Sequence, residues 1–192
     1  LIDIGSGSGI LSLGANDYYN LKKVYAIEIQ KEKANLLKEN LNINDIYNVE
    51  IVNKDLNNVD LGSNLIDYII TNPPYYKITD NIRNKNEEFL ISRQEKYLKL
   101  ENIFDFANKT LKDRGKLFMI HKPERMVEIF NKSGNLKPKR IRFVQSTYNK
   151  KPQFILIEFV KNANDGIKIE DPLIIYENST YTEEMKRING SL

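Results

Sequence analysis

The chain has 192 residues, 41% hydrophobic and 29% charged, with a net charge of +3 and a pI near 8.8. This is the composition of a soluble globular domain with length for a full core and a mild basic bias open to an anionic partner. It has no cysteine and one histidine, His121, which excludes a disulfide framework, a thiolate nucleophile, cysteine-bound metal, pyrimidine C5 methylation through a cysteine adduct, and a histidine-rich metal site.

No apolar run approaches the ~20 residues that span a bilayer, and no stretch resembles a signal peptide. The expectation is a cytoplasmic protein with no membrane and no metal, a monomer or weak homodimer. Leu1 falls inside a predicted first core strand, so a preceding portion carrying part of the binding site is expected to lie outside this sequence.

Leu1-Ile2-Asp3-Ile4 reads as a buried strand that runs into Gly5-Ser6-Gly7-Ser8-Gly9 and then the apolar Ile10, Leu11 and Leu13. Strand, glycine turn and helix start together bring a ligand close to the backbone and leave helix N–H groups free. A dinucleotide fingerprint has glycine where Ile10 stands. A ligand without a pyrophosphate, its ammonium group held through Asp3, suits the turn better.

Val24 to Ile27 is a second strand with Glu28 at its end, about 20 residues past the glycine turn, where open α/β folds place a carboxylate for the hydroxyls of a ribose. Lys31 to Leu41 is helical, with Ala34, Leu37 and Leu41 on one face. Val49 to Val52 is a third strand, followed by Asp55. That carboxylate suits the amine of an adenine whose ring Ile29 and Leu56 sandwich, and it equally suits a turn.

The fourth strand, Tyr68 to Ile70, ends in Thr71-Asn72-Pro73-Pro74-Tyr75-Tyr76. Two prolines stiffen the turn and remove N–H groups, so its carbonyls can point outward, and Asn72 adds a side-chain acceptor. Two acceptors close in space suit an amine with two hydrogens, such as the exocyclic amine of adenine. Holding both hydrogens favours a pyramidal nitrogen with an exposed lone pair. Tyr75 offers a face on which an extruded base can stack. Three successive strand ends thus carry ligand-type residues, as expected of an open parallel sheet.

Residues 76–96 are polar and charged, with Lys77, Arg83, Lys85, Arg93 and Lys96, and read as a loop bordering the site. Leu100 to Leu111 is helical, and Asp113-Arg114-Gly115 turns into a fifth strand, Lys116 to Ile120, at whose end His121 reads as structural. Lys122 to Lys132 is another helix, with Pro123 in its first turn. Arg140 to Val144 and Phe154 to Val160 form a final hairpin. Its cations, Lys137, Lys139, Arg140, Arg142, Lys150 and Lys151, suit either a nucleic-acid backbone or a protected edge.

The Asp3 to Gly9 turn, Glu28, Asp55 and Asn72 to Tyr75 stand in the order of four motifs of the class I S-adenosylmethionine-dependent methyltransferases, which the chain resembles over nearly its full length. The resemblance implies one α/β domain with a Rossmann-like seven-stranded sheet, mostly parallel with an antiparallel last strand, and helices on both faces. Residues 1–160 would be its core and residues 161–192 a tail packed on it. S-adenosylmethionine would be held by Asp3, Gly5, Ser6, Gly7, Gly9, Glu28, Ile29, Asp55, Leu56 and Asn72.

Asn72, Pro73, Pro74 and Tyr75 would be catalytic, on a conjugated nitrogen. Ser92-Arg93-Gln94-Glu95, Lys122 to Met126, Pro172 to Tyr176 and Tyr181 to Glu184 are similar to the bacterial tRNA adenine-N6 methyltransferases acting at adenine 37 of a valine tRNA, although Gln94 stands where that family commonly has histidine. This implies a tRNA anticodon loop as partner, met by Tyr75, Tyr76, Lys77, Arg93, Lys150 and Lys151. A protein (release-factor) glutamine methyltransferase and a non-catalytic S-adenosylmethionine-binding module are the competing expectations.

Overall fold

The computed structural model describes residues 1–75 and 98–190. Ten strands and five α-helices are assigned among them: β1 (Ile2–Ile4), α1 (Ile10–Tyr18), β2 (Val24–Ile27), α2 (Lys31–Ile43), β3 (Val49–Val52), β4 (Ile66–Thr71), α3 (Leu100–Thr110), β5 (Leu111–His121), α4 (Met126–Lys132), β6 (Leu136–Gln145), β7 (Phe154–Lys161), β8 (Lys168–Ile174), the short pair β9 (Tyr176–Glu177) and β10 (Thr180–Tyr181), and α5 (Glu183–Ile188).

β1 to β8 form one sheet in the order β3-β2-β1-β4-β5-β7-β6-β8. β7 runs against both its neighbours, whereas every other pairing in this sheet is parallel. The sheet therefore has eight strands, not seven. The extra strand, β8, comes from the expected tail and pairs in parallel with β6 from Arg140↔Lys168 to Gln145↔Ile174. Residues 168–174 alternate too weakly in hydropathy to announce a strand. The unpaired edge of β6 is what recruits them.

Strand alternation sends side chains to two layers. Ile2, Ile4, Ile27 and Ile69 face α3 and α4 in the main core, beside Phe104, Phe159 and Ile129. Ala26 faces the other way, onto Leu37 and Leu41 of α2 and Leu13 of α1. Phe104 and Phe159 meet edge-on at 5.4 Å, and burying each such side chain contributes about 1.5–3 kcal/mol.

The expected turn at Asp113 to Gly115 lies inside β5. There Arg114 takes φ +62°, and the register with β4 jumps between Ile66↔Leu111 and Tyr68↔Lys116. The turn chemistry was read correctly but produces a bulge, because strand pairing continues on both sides of it. The expected helix from Lys122 begins as a 3₁₀ turn, Pro123–Arg125, and becomes α-helical at Met126.

Candidate active site

The carboxyl ends of β1, β2, β4 and β5 meet along one edge of the sheet, and backbone and side-chain hydrogen bonds tie them together. Gly5 and Ser6 donate to the Ile27 carbonyl at the end of β2 (2.9 and 3.0 Å). The Thr71 hydroxyl at the end of β4 donates to the Ile4 carbonyl at the end of β1 (2.9 Å). Asn72 thus starts one residue from a direct link to the glycine turn.

That turn needs its glycines. Gly5, Gly7 and Gly9 all take positive φ, and at Gly9 a Cβ would stand 2.2 Å from Leu37 Cδ1 and 2.7 Å from Leu13 Cδ1. Gly9 therefore sits where the start of α1 packs tightly against α2. At Gly7 a Cβ would meet nothing within 4 Å among the described residues, so the tip of the turn is open toward them.

Asp3 is fully buried on the opposite side of β1 from Ile2 and Ile4. Its Oδ2 accepts from the Ser12 hydroxyl (2.7 Å), while Oδ1 has no partner. Burial pushes the Asp3 carboxyl up from 3.8 to about 6, against the opposing pull of its Ser12 hydrogen bonds. The Ser6 hydroxyl is also buried and unpartnered. Among the described residues four buried side-chain polar atoms lack a partner, and three of them, on Asp3, Ser6 and His121, lie at this edge. Such atoms are costly unless something polar meets them.

Glu28, nearly buried at the end of β2, accepts from the Gly7 amide (2.8 Å) and the Gln30 amide (2.7 Å). One N–H on each oxygen fixes the carboxylate and leaves each oxygen able to accept again. Asp55 caps the 3₁₀ turn Leu56–Asn58, its Oδ1 accepting from the backbone and side chain of Asn57, both at 2.9 Å. Leu56 is 4% exposed and belongs to the core. Ile29, the other residue expected beside an adenine ring, is half-buried.

In the Asn72 to Tyr75 turn, Asn72 is exposed and Pro73 buried. The Tyr75 hydroxyl donates a short hydrogen bond to Asn72 Oδ1. Among the described residues no group donates to the Pro73 carbonyl. Tyr75 itself is partly covered. Its ring is half-buried, with the Phe154 ring at 5.2 Å and His121 edge-on at 5.6 Å. The Lys122 ammonium lies 4.1 Å from the Phe154 centroid and 5.6 Å from that of Tyr75, within cation–π range.

His121 Nδ1 accepts from the Lys122 amide (2.8 Å), and burial, with Arg125 nearby, lowers its pKa to about 4. It is neutral near pH 7, its proton on Nε2.

Phe154 and Lys122 are the neighbours that local reading missed. Lys122 follows the end of β5, the same strand-end signal that marked Glu28 and Asn72. Phe154 carried no signal, because only the β5–β7 pairing, His121↔Ile155, brings it here. Tyr76, Lys77, Arg93 and the Ser92 to Glu95 stretch lie outside the described residues.

Most cations of the basic hairpin have local partners. Lys137 pairs with Asp165 (3.3 Å), Arg140 with Glu158 and Glu170, and Arg142 with Glu184 through two bonds of 2.6 and 2.7 Å. Lys139 donates to the carbonyls of Asn164, Asp165 and Gly166. Among the hairpin's six cations, Lys150 and Lys151, on the exposed part of the 146–153 turn, have neither a carboxylate nor a carbonyl partner for their ammonium groups among the described residues.

Residues 1–133 match the model of the methyltransferase small domain family. The chain belongs to this family. As a methyltransferase domain it uses S-adenosylmethionine, and the residues present fit that cofactor: a buried unpartnered carboxylate oxygen for an ammonium group, an open glycine turn beside it, and an anchored carboxylate with spare acceptor capacity.

The tRNA1(Val) (adenine(37)-N6)-methyltransferase of Porphyromonas gingivalis is 25% identical over 190 residues, covering 94% of this chain and 73% of the relative. The release factor glutamine methyltransferase of Lactococcus lactis is 28% identical over 126 residues, covering 62% of this chain and 46% of the relative. In fold, the methyltransferase resembles the crystal structure of a predicted O-methyltransferase from Agrobacterium tumefaciens, with TM-score 0.78 and 17% identity, covering 98% of this chain and 87% of that one. No helix among the described residues is long and apolar enough to cross a membrane, and no group of metal-ligating side chains is found among them.

Proposed function

We propose that this methyltransferase transfers a methyl group to N6 of an adenine in tRNA, at position 37 beside the anticodon of a valine tRNA. The observation that carries an amino-group acceptor is the Asn72 side chain, fixed by the Tyr75 hydroxyl at the end of β4 and one residue from the link to β1. The choice of tRNA over a protein glutamine is supported by the extent of likeness. The match to the Porphyromonas tRNA enzyme runs over 94% of the chain, whereas the match to the glutamine enzyme stops at 62%.

S-adenosylmethionine, when bound, supplies a methyl group already activated on a sulfonium. Asp3 would hold its ammonium group, with Gly5, Ser6, Gly7 and Gly9 giving close backbone approach; Glu28 would accept from the ribose hydroxyls, and Asp55 and Ile29 would meet the adenine. On the acceptor side, Asn72 Oδ1 and the Pro73 carbonyl each accept one hydrogen of the target amine, drawing its lone pair out of conjugation and toward the methyl. Because the Tyr75 O–H donates to Oδ1, the amide is oriented with its oxygen, not its NH₂, near the acceptor position. Tyr75, backed by Phe154 and His121, is the surface against which the extruded base rests. The proton lost by the methylated amine passes to water. Most of the rate comes from alignment.

The test is nucleoside mass spectrometry of unmodified tRNA incubated with enzyme and S-adenosylmethionine. N6-methyladenosine is the expected product, formed far more slowly with Asn72→Ala. A methylated glutamine peptide with untouched tRNA would move the activity to the second class of acceptor.

A further inference from the structure

The tail motif from Pro172 to Glu184 has no part in the chemistry above, yet the fold delivers it to the active-site end of the sheet. β6 and β8 run parallel to β5, so the segment leaving β8 emerges at the same edge as His121 and, through β4, Asn72. There Asn178 and Ser179, both at positive φ (49° and 65°), make the two-residue turn that closes β9 on β10. This turn geometry matches the twist of a tight hairpin. The hairpin sets Tyr176 opposite Tyr181, and their rings stack with centroids 5.2 Å apart and planes 13° from parallel. Both are exposed, at 40% and 41%.

The pair is held from several directions. The Tyr176 amide donates to the Ser146 carbonyl (2.8 Å) and the Ile175 amide to that of Gln145 (2.9 Å), tying the hairpin to the 146–153 turn. The Thr182 hydroxyl donates to the Ile174 carbonyl (2.7 Å) and caps α5 by accepting from Met185. Glu184 is taken by Arg142 and Glu183 by Lys186, so these acids are compensated locally, while Glu177 stays exposed beside the pair. The adjoining turn carries Tyr148, 68% exposed, with the exposed Lys150 and Lys151. At its far end Gln153 accepts from Lys122, which lies over the Tyr75 ring. A continuous path of contacts therefore runs from the Asn72 turn to the tyrosine pair.

We infer that the Tyr176–Tyr181 pair and the 146–153 turn form a docking surface for unpaired nucleotides flanking the target adenine, the rings stacking bases and Lys150 and Lys151 meeting phosphates. The inference rests on the tRNA reading. Exposed aromatic faces interleaved with cations are what single-stranded nucleic acid uses, since every base offers a π-face and every linkage a charge. A rigid stack loses little conformational freedom on binding.

The experiment compares wild type, Tyr176→Ala/Tyr181→Ala, Tyr176→Phe/Tyr181→Phe and Lys150→Ala/Lys151→Ala. It measures kcat and KM on unmodified tRNA, the Kd for an anticodon stem-loop RNA by fluorescence anisotropy over a salt series, and the Kd for S-adenosylmethionine. The alanine pair is expected to raise KM and the RNA Kd roughly tenfold or more, with kcat and cofactor affinity near wild type. The phenylalanine pair should restore both values. The lysine pair, confined to an exposed turn, should flatten the slope of log K against log salt by about two.

Alanine variants with wild-type KM and RNA Kd overturn the docking surface. So does a phenylalanine pair as weak as the alanine pair. If the alanine pair does not fold, an unchanged salt slope in the lysine pair overturns it alone. Wild type that methylates no tRNA sinks the underlying reading, an outcome distinct from active wild type with indifferent variants.

Discussion

The two halves of the sheet contribute to the site by different means. In β1 to β4 the strands are three to six residues long, and the proposed roles fall on single residues in or just past them: Asp3 inside β1 with the glycine turn after it, then Glu28, Asp55 and Asn72. In β5 to β8 the strands run seven to eleven residues, and the site receives His121, Lys122 and Phe154, which support a neighbour's side chain. In the first half a residue's place in the chain nearly states its role. In the second, role depends on the cross-strand partner: Arg140 and Arg142 suit a nucleic-acid backbone or a protected edge equally by sequence, and the fold pairs them with Glu158, Glu170 and Glu184.

The sharpest way to break this contrast is Asn72→Ala, which removes an acceptor from the first half. The expected result is a fall in kcat of about a hundredfold or more at saturating S-adenosylmethionine; a mutant as active as wild type would end the proposed mechanism.

Gly9→Ala comes next. Its Cβ would drive into Leu37 and Leu13 at φ +97°, and a loss of about 2–4 kcal/mol is expected by urea titration. Gly7→Ala, with nothing among the described residues within 4 Å of its Cβ, should cost about 1 kcal/mol through its φ of +57°. Equal losses would show that the turn is not packed as described.

Acid titration separates the halves again. The Asp3 carboxyl is raised from 3.8 to about 6, so between those values the folded protein keeps a proton the unfolded chain has lost. Stability from this group falls as pH rises through that window, by on the order of 3 kcal/mol once above it. His121 is lowered from 6.5 to about 4, so its contribution is complete above 6.5 and is lost as pH falls toward 4. The two oppose each other between about pH 4 and 6. Asp3→Asn should raise Tm at pH 7.5, steepen the loss on acidification and weaken cofactor binding; an unaltered Tm profile would contradict the buried carboxylate.

The smallest effect is expected from Lys139→Ala and Arg140→Ala. Because Arg140 is ion-paired and Lys139 is bound to three carbonyls, tRNA affinity should change by less than about 1 kcal/mol in a salt-controlled binding assay. A flattening of the salt slope equal to that of Lys150→Ala/Lys151→Ala would dissolve the distinction between paired and unpaired cations.

The first half of the molecule was legible because its signals are local. A glycine that must take positive φ, a carboxylate after an apolar run and an amide before two prolines keep their meaning wherever the chain goes. The same signals placed the fold class, the strand ends and the glycine turn within a residue or two. Leu56, four residues past the end of β3, packs in the core, because a residue in the turn after a strand can point inward as easily as outward. β8 was missed because its strand character is borrowed from the free edge of β6.

From its own residues, then, the sequence determined an alternating α/β chain with a glycine-turn pocket after the first strand and an amide-bearing turn after the fourth, since backbone conformation and burial periodicity are short-range properties. Tertiary structure alone decided which cations remain unpaired, that Phe154 and His121 brace Tyr75, and that the tail adds an eighth strand and presents two stacked tyrosines at the active-site edge. Those facts depend on register between segments far apart in the chain, and no local pattern encodes register.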